Sequence, residues 1–166
     1  MLTLNENLGP LARNEKLPSL SLDLAGRSKA RQRAFLSDGR EAHLFLERGR
    51  ILKSGDILCG PDGEKAVVIA KPEPVILARA DSWARLVRAA YHLGNRHTPV
   101  ELGELTVKFA PEPVLEEMVR FLGLVTEHLN APFEPESGAY RSSEDALHYH
   151  SRGRNNGHPG RSGRLD

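Results

Sequence analysis

Histidine is the side chain best suited to chemistry in this 166-residue chain, and the seven histidines fall into groups. The run Tyr91-His92-Leu93-Gly94-Asn95-Arg96-His97-Thr98-Pro99 closes an amphipathic helix with a histidine just past its end. A second group, His148 and His150 in Leu147-His148-Tyr149-His150, stands where folded structure is expected to give way to a polar tail. Imidazole is the commonest protein metal ligand and suits nickel, copper and zinc. One anchored group and one expected to be mobile imply a protein that picks up a metal ion and hands it on.

His97 follows a helix C-terminus, whose partial negative charge favours a cation. It can equally be a C-capping residue that satisfies end carbonyls, and local sequence leaves both readings open. A tight site needs about three to six donors, whereas residues 73–146 offer only His92, His97 and His128. His92 adjoins Tyr91 on the apolar face and is expected to be partly buried. His128 lies in an alternating strand and is expected at the surface. A two-fold axis relieves the shortage, because it brings the same patch of two chains together. Two copies of His97 could then face one ion, with the tails adding His148 or His150. These two are spaced i,i+2, so on extended backbone they point the same way.

Other candidates carry less. Arg27-Ser28-Lys29-Ala30-Arg31-Gln32-Arg33 alternates basic side chains, which on a strand share one face. That face is expected to be a charged edge guarding against aggregation, with a groove for an acidic partner as the alternative. The single Cys59 excludes an intramolecular disulfide and a Cys₄ zinc site, and is expected to act as a small buried hydrophobe. No phosphate-binding glycine loop, dinucleotide fingerprint, nucleophile elbow or zinc-protease helix occurs. Glu101 and Glu104 are too weak a pattern for acid/base catalysis. The chain is therefore not expected to be an enzyme.

The elements that must position the histidines read as two halves. Residues 19–70 carry short alternating segments punctuated by turn residues. Leu20 to Leu24 is a half-buried strand, and Asp38-Gly39 turns a hairpin between Ala34-Phe35-Leu36 and Ala42 to Leu46. A strand from Ala66 to Ala70 ends a small sandwich or barrel-like sheet pair. Lys71-Pro72-Glu73-Pro74 is the expected linker. Beyond it come a strand at Val75 to Ala78 and a helix with apolar face Trp83, Leu86, Val87, Ala90 and Tyr91. Gly94 or Asn95 is its expected C-cap. Strands at Val100 to Leu102 and Leu105 to Phe109 follow. A helix opened by Pro113 carries the stripe Val114, Leu115, Met118, Val119 and Leu122 and ends at Gly123. A last strand runs from Leu124 to Leu129. The fold class is α+β: a small all-β domain over 1–72, a ferredoxin-like βαββαβ domain over 73–146 and a disordered tail over 147–166.

The net charge of +1 is unevenly distributed, at +3, −5 and +3 over those three segments. An acidic middle segment favours cations and disfavours nucleic acid. No apolar stretch approaches the roughly 18 residues of a membrane span, and Met1-Leu2-Thr3-Leu4 does not open a secretory signal. A soluble cytoplasmic protein is expected.

Four segments resemble the UreE family of urease accessory proteins, which are nickel metallochaperones. They are Tyr91 to His97, Leu36-Ser37-Asp38-Gly39-Arg40-Glu41 with Leu46-Glu47-Arg48-Gly49, Leu52-Lys53-Ser54-Gly55-Asp56, and Pro132-Phe133-Glu134-Pro135-Glu136-Ser137-Gly138-Ala139-Tyr140. The resemblance covers roughly residues 15–150. It implies a partner-binding β-domain, a ferredoxin-like metal-binding domain, and a homodimer with Ni(II), or Zn(II) in its place, at the interface. The family's essential metal histidine falls on His97, and its tail histidines correspond loosely to His148 and His150. The implied partners are the urease maturation GTPase UreG, other urease accessory proteins and apo-urease. The chain lacks the long polyhistidine tail of some members and has Lys108-Phe109-Ala110-Pro111 where some carry extra histidines. One or two ions per dimer is the expected load. The alternative function is a peptide-binding or protein-binding adaptor with no metal role.

Overall fold

The computed structural model of the chain describes residues 2–10 and 16–137. Its N-terminal, strand-rich domain is built from short segments whose alternate side chains are apolar, as the two sheets require. Strand β1 (Leu2–Leu4) runs parallel to β5 (Glu41–Phe45), and β4 (Arg31–Phe35) pairs antiparallel with β5. The second sheet has the order β2-β6-β7-β3, from β2 (Glu6–Pro10), β6 (Asp56–Cys59), β7 (Lys65–Ala70) and β3 (Ser19–Leu22). Leu4, Ala42 and Leu44 of the first sheet join Leu20, Leu22, Leu58, Ala66 and Val68 of the second in one buried cluster. Each large aliphatic side chain there contributes about 1.5–3 kcal/mol of burial. This is the expected sheet pair, and the Asp38-Gly39 hairpin is present.

Two expectations fail here for local reasons. The strand at Leu20 ends at Leu22, because the Asp23 carboxylate accepts a bond from Gly26 N at 2.7 Å and caps a short helix, α1 (Leu24–Arg27). Arg27 therefore leaves the supposed basic strand face and is buried; Arg31 and Arg33 remain exposed on β4. The linker is shorter than expected, since Glu73 and Pro74 already belong to β8 (Glu73–Arg79), where Pro74 faces Asn130.

The C-terminal sheet has the order β11-β8-β10-β9, all antiparallel, adding β9 (Glu101–Gly103), β10 (Thr106–Phe109) and β11 (Val125–Ala131). Helix α2 (Trp83–Gly94) links β8 to β9 and α3 (Pro113–Phe121) links β10 to β11, which is the ferredoxin-like βαββαβ arrangement. Ile76, Ala78, Val107 and Phe109 of the sheet pack with Leu86, Ala89 and Leu93 of α2 and Leu115 and Val119 of α3. The α3 start is well specified. Glu112 accepts from Val114 N and Leu115 N at 3.1 and 2.7 Å, and Pro113 occupies the first turn, where a missing N–H costs nothing.

Both helical stripes differ from expectation. On α2 the core side is Leu86, Ala89 and Leu93, while Trp83, Val87 and Tyr91 stand 60–64% exposed. On α3 Val114 is exposed and Leu115, Glu116 and Val119 are buried. Each helix carries apolar residues on more than one side, so periodicity alone could not choose the buried side.

Candidate metal centre

His97 gets its position from the way α2 stops. His97 N donates to Gly94 O at 2.9 Å, and Thr98 N donates to Leu93 O at 3.3 Å. This pair of bonds is the Schellman ending, in which the residue just past the helix takes the left-handed conformation usually given to glycine. Here that residue is His97, with φ of 54°. Asn95 is the C-cap, one of the two residues expected there, but it is helical at φ −63° rather than left-handed, and the left-handed position falls on His97.

The end of α3 supplies the comparison within the same molecule. Gly123 N donates to Arg120 O at 2.9 Å and Leu124 N to Val119 O at 3.1 Å, and Gly123 has φ of 89°. Two helices thus end in the same motif, one on glycine and the other on histidine. Left-handed backbone costs an L-residue about 1–2 kcal/mol, with histidine among the better tolerated types. A strained residue of this kind points to a role other than stability. The conformation holds His97 exposed at the tip of the loop, its imidazole clear of the core.

The surroundings of His97 follow from neighbouring segments. Trp83, Val87 and Tyr91 form an exposed apolar row along α2 at offsets 0, 4 and 8, ending one turn before the loop. His92 is exposed rather than partly buried, and its ring meets Tyr91 edge-on with centroids 5.3 Å apart.

The segment after β11 is fastened across the molecule, a role sequence reasoning missed. The Arg27 guanidinium donates to Leu52 O at 3.2 Å and to Phe133 O, and lies 3.6 Å from the Glu134 carboxylate. Ser54 N donates to Glu134 Oε1 at 2.6 Å, Glu134 N to Glu101 Oε2 at 2.7 Å, and Lys108 Nζ to Pro132 O at 2.9 Å. Phe133 is buried. Glu136 N then donates to Val100 O at 2.7 Å, so this strap ends three residues along the chain from His97. The signal was present in the Pro-Phe-Glu-Pro-Glu run, but nothing local said what it would grip.

Other titratable groups are spoken for. Glu101 is paired with Lys108 at 2.6 Å. His43 sits 3.3 Å from Glu41, and Cys59 Sγ lies 3.3 Å from Gly60 O, only half-buried. His128 is at the surface as expected, with Nε2 3.0 Å from both oxygens of Glu116. Burial pushes the Glu116 carboxyl up, but hydrogen bonds from Thr126 and His128 and the charges of Arg120 and His128 outweigh it, leaving it below its ordinary value. Among the described residues no three of His, Cys, Asp and Glu gather as a metal cluster. His97 thus offers one donor per chain, while His148, His150 and His158 lie outside the described residues.

Sequence comparison covers nearly the whole chain. Residues 4–71 match the model for the UreE urease accessory protein N-terminal domain, and residues 73–159 match that for its C-terminal domain. The chain belongs to the UreE family of urease accessory proteins. It is 47% identical to the urease accessory protein UreE of Ralstonia nicotianae over 75% of this chain and 59% of that protein. It is 43% identical to the UreE of Burkholderia vietnamiensis over 84% of this chain and 72% of that protein. The UreE of Pseudomonas putida is 47% identical over 75% of this chain and 76% of its own length. The match thus spans about three fifths of the Ralstonia protein. UreE proteins are accessory proteins rather than urease catalytic subunits by name. No helix among the described residues is long and apolar enough to cross a membrane.

Proposed function

We propose that the chain is a cytoplasmic metallochaperone that binds Ni(II), with Zn(II) competing for the same site, and delivers nickel during maturation of the urease active site. The observation that carries this reading is His97 in the left-handed position where the matching motif of α3 uses Gly123. Glycine would relieve the backbone there, which supports a role for the imidazole beyond ending the helix.

One donor cannot hold the ion, and the reading supplies the others from a homodimer. Burying the row Trp83, Val87 and Tyr91 against its own copy would remove apolar surface from water and set two copies of His97 near a common axis. His148 and His150 would complete the ligand set from the tail. Ligands shared between chains and drawn from a tail can leave one at a time, which suits a carrier that must release its cargo. In this reading nickel passes to apo-urease with the maturation GTPase UreG and the other urease accessory proteins. The strap at Pro132 to Glu136 gives the tail a fixed root beside Val100.

Calorimetric nickel titration of the chain and of His97→Ala tests the proposal. The variant is expected to lose the tightest site while keeping fold and dimer. Unchanged affinity in His97→Ala would overturn it.

A further inference from the structure

Arg27 is the most deeply buried charged side chain among the described residues, at 1% exposed. Its Nε has no hydrogen-bond partner, its other bonds run to the main-chain oxygens of Leu52 and Phe133, and the Glu134 carboxylate 3.6 Å away is itself half-exposed. Burying a guanidinium is unfavourable, and an apolar side chain of similar size is often at least as stable in such a place. Stability is therefore a weak reason for an arginine here. What the guanidinium does is tie α1 and Leu52 to the strap at Pro132 to Glu136. The Arg27 oxygen also accepts from Leu52 N at 3.0 Å, and at the other end of α1 Leu24 N donates to Glu73 Oε1 at 2.7 Å, where β8 begins.

The far end of the strap reaches the loop that carries His97. That loop is held on its helix side by the two bonds that close α2, and on its other side by Val100, which packs against the C-terminal core and accepts from Glu136 N at 2.7 Å. Lys108 and Glu101 bind the strap to the C-terminal sheet, while Arg27 and Ser54 bind it to the N-terminal domain. Glu134 is where the two sets meet. Its N–H donates to Glu101 at 2.7 Å, and its carboxylate accepts from Ser54 N at 2.6 Å. A chain of bonded groups thus runs from the N-terminal domain to two residues short of Glu136 and on to Val100.

We propose that Arg27 and Glu134 are positioning residues for the nickel site. They hold the strap, the strap holds Val100, and Val100 steadies the loop that presents His97, so the order of that loop depends on the N-terminal domain. This rests on the reading of His97 as a nickel donor. Coupling between two sites is reciprocal, so bound nickel must in turn favour the held strap and its bond to Ser54.

The test uses the full chain, nickel calorimetry and amide hydrogen exchange. Arg27→Met and Glu134→Ala are expected to bind nickel about threefold to tenfold more weakly than the parent. Glu134→Gln, which keeps an acceptor for Ser54 N, should recover part of that loss. Nickel should slow exchange of the Ser54 amide about threefold or more in the parent, and should leave it unchanged in His97→Ala and in Glu134→Ala. A clasp with a structural role alone would lower the melting temperature and move neither nickel affinity nor the nickel response of Ser54. Melting in EDTA shows whether Arg27→Met folds; if it does not, Glu134→Ala, altered at a half-exposed side chain, carries the test. Parent affinity in Glu134→Ala, or a Ser54 amide indifferent to nickel in the parent, would overturn the proposal. The two readings fail separately: parent affinity in His97→Ala would overturn the donor, whereas a His97-dependent site untouched by Glu134→Ala would overturn the clasp alone.

Discussion

Replacing His97 by glycine should stabilise the metal-free protein. The left-handed backbone at φ 54° costs a non-glycine residue roughly 1–2 kcal/mol. Glycine removes that strain, while its greater freedom in the unfolded chain takes back about 0.5–1 kcal/mol. About 0–1.5 kcal/mol of net gain remains, with a middle value of ~0.75 kcal/mol, a rise of about 2–3 °C in melting temperature at that middle value for a domain of this size. His97→Ala removes the imidazole but keeps the strain, so it should melt with the parent. Gly123→Ala is the reciprocal: it adds strain at φ 89° and brings a Cβ within 3.0 Å of Arg85 Cζ. It should cost about 1–2 kcal/mol. Calorimetric scans in EDTA would measure all four proteins. The order should then reverse with nickel, because a ligand at 100 times its Kd stabilises by about 2.7 kcal/mol and His97→Gly would not receive that gain. A His97→Gly melt at or below the parent in EDTA would refute the claim that this histidine is held against stability.

Other outcomes follow from the same structure. Trp83→Asp or Tyr91→Asp should convert a dimer to monomer in sedimentation equilibrium, since both residues lie on the exposed α2 row; a dimer unchanged in both would remove that row as the interface. Deleting residues 147–166 should weaken nickel binding without abolishing it, and unaltered affinity and coordination spectrum would discard His148 and His150 as ligands. The Glu116 carboxyl is held low, so its bonds stabilise the fold above the usual carboxylate range and are lost as pH falls through that range and below. The melting temperature of the parent should therefore fall more steeply than that of Glu116→Gln between about pH 5 and pH 3, and parallel curves would contradict the assignment. Nickel affinity should fall steeply from about pH 7.5 to 5.5, as histidine ligands must be neutral to coordinate; a flat profile would point to carboxylate ligands.

The fold was largely readable because each signal was local. Asp38-Gly39, Pro113 and Gly123 each announce a turn, a helix start or a helix stop by their own chemistry. The change from period two to period 3.6 after Pro72 separates the sheet pair from the ferredoxin-like part. What escaped turned on a choice between two local structures or on distant partners. Asp23 gave no sign that it would cap a helix instead of extending a strand, and Arg27 is buried because residues 25 and 106 positions away supply its acceptors. Trp83, Val87 and Tyr91 satisfy helical spacing as well as Leu86, Ala89 and Leu93 do, and only the sheet beneath decides between them. The position of His97 at the end of α2 was legible, but its left-handed backbone was not, since Gly94 and Asn95 were nearer to hand as caps.

The most direct measurement is nickel handover. Nickel-loaded chain is mixed with apo-urease, the maturation GTPase and the other accessory proteins, with a chelator present to trap free nickel, and urease activity is followed. The account predicts activity from the parent chain and little or none from His97→Gly, a variant expected to be at least as stable. Equal activation by the two proteins would contradict a nickel carrier built on His97.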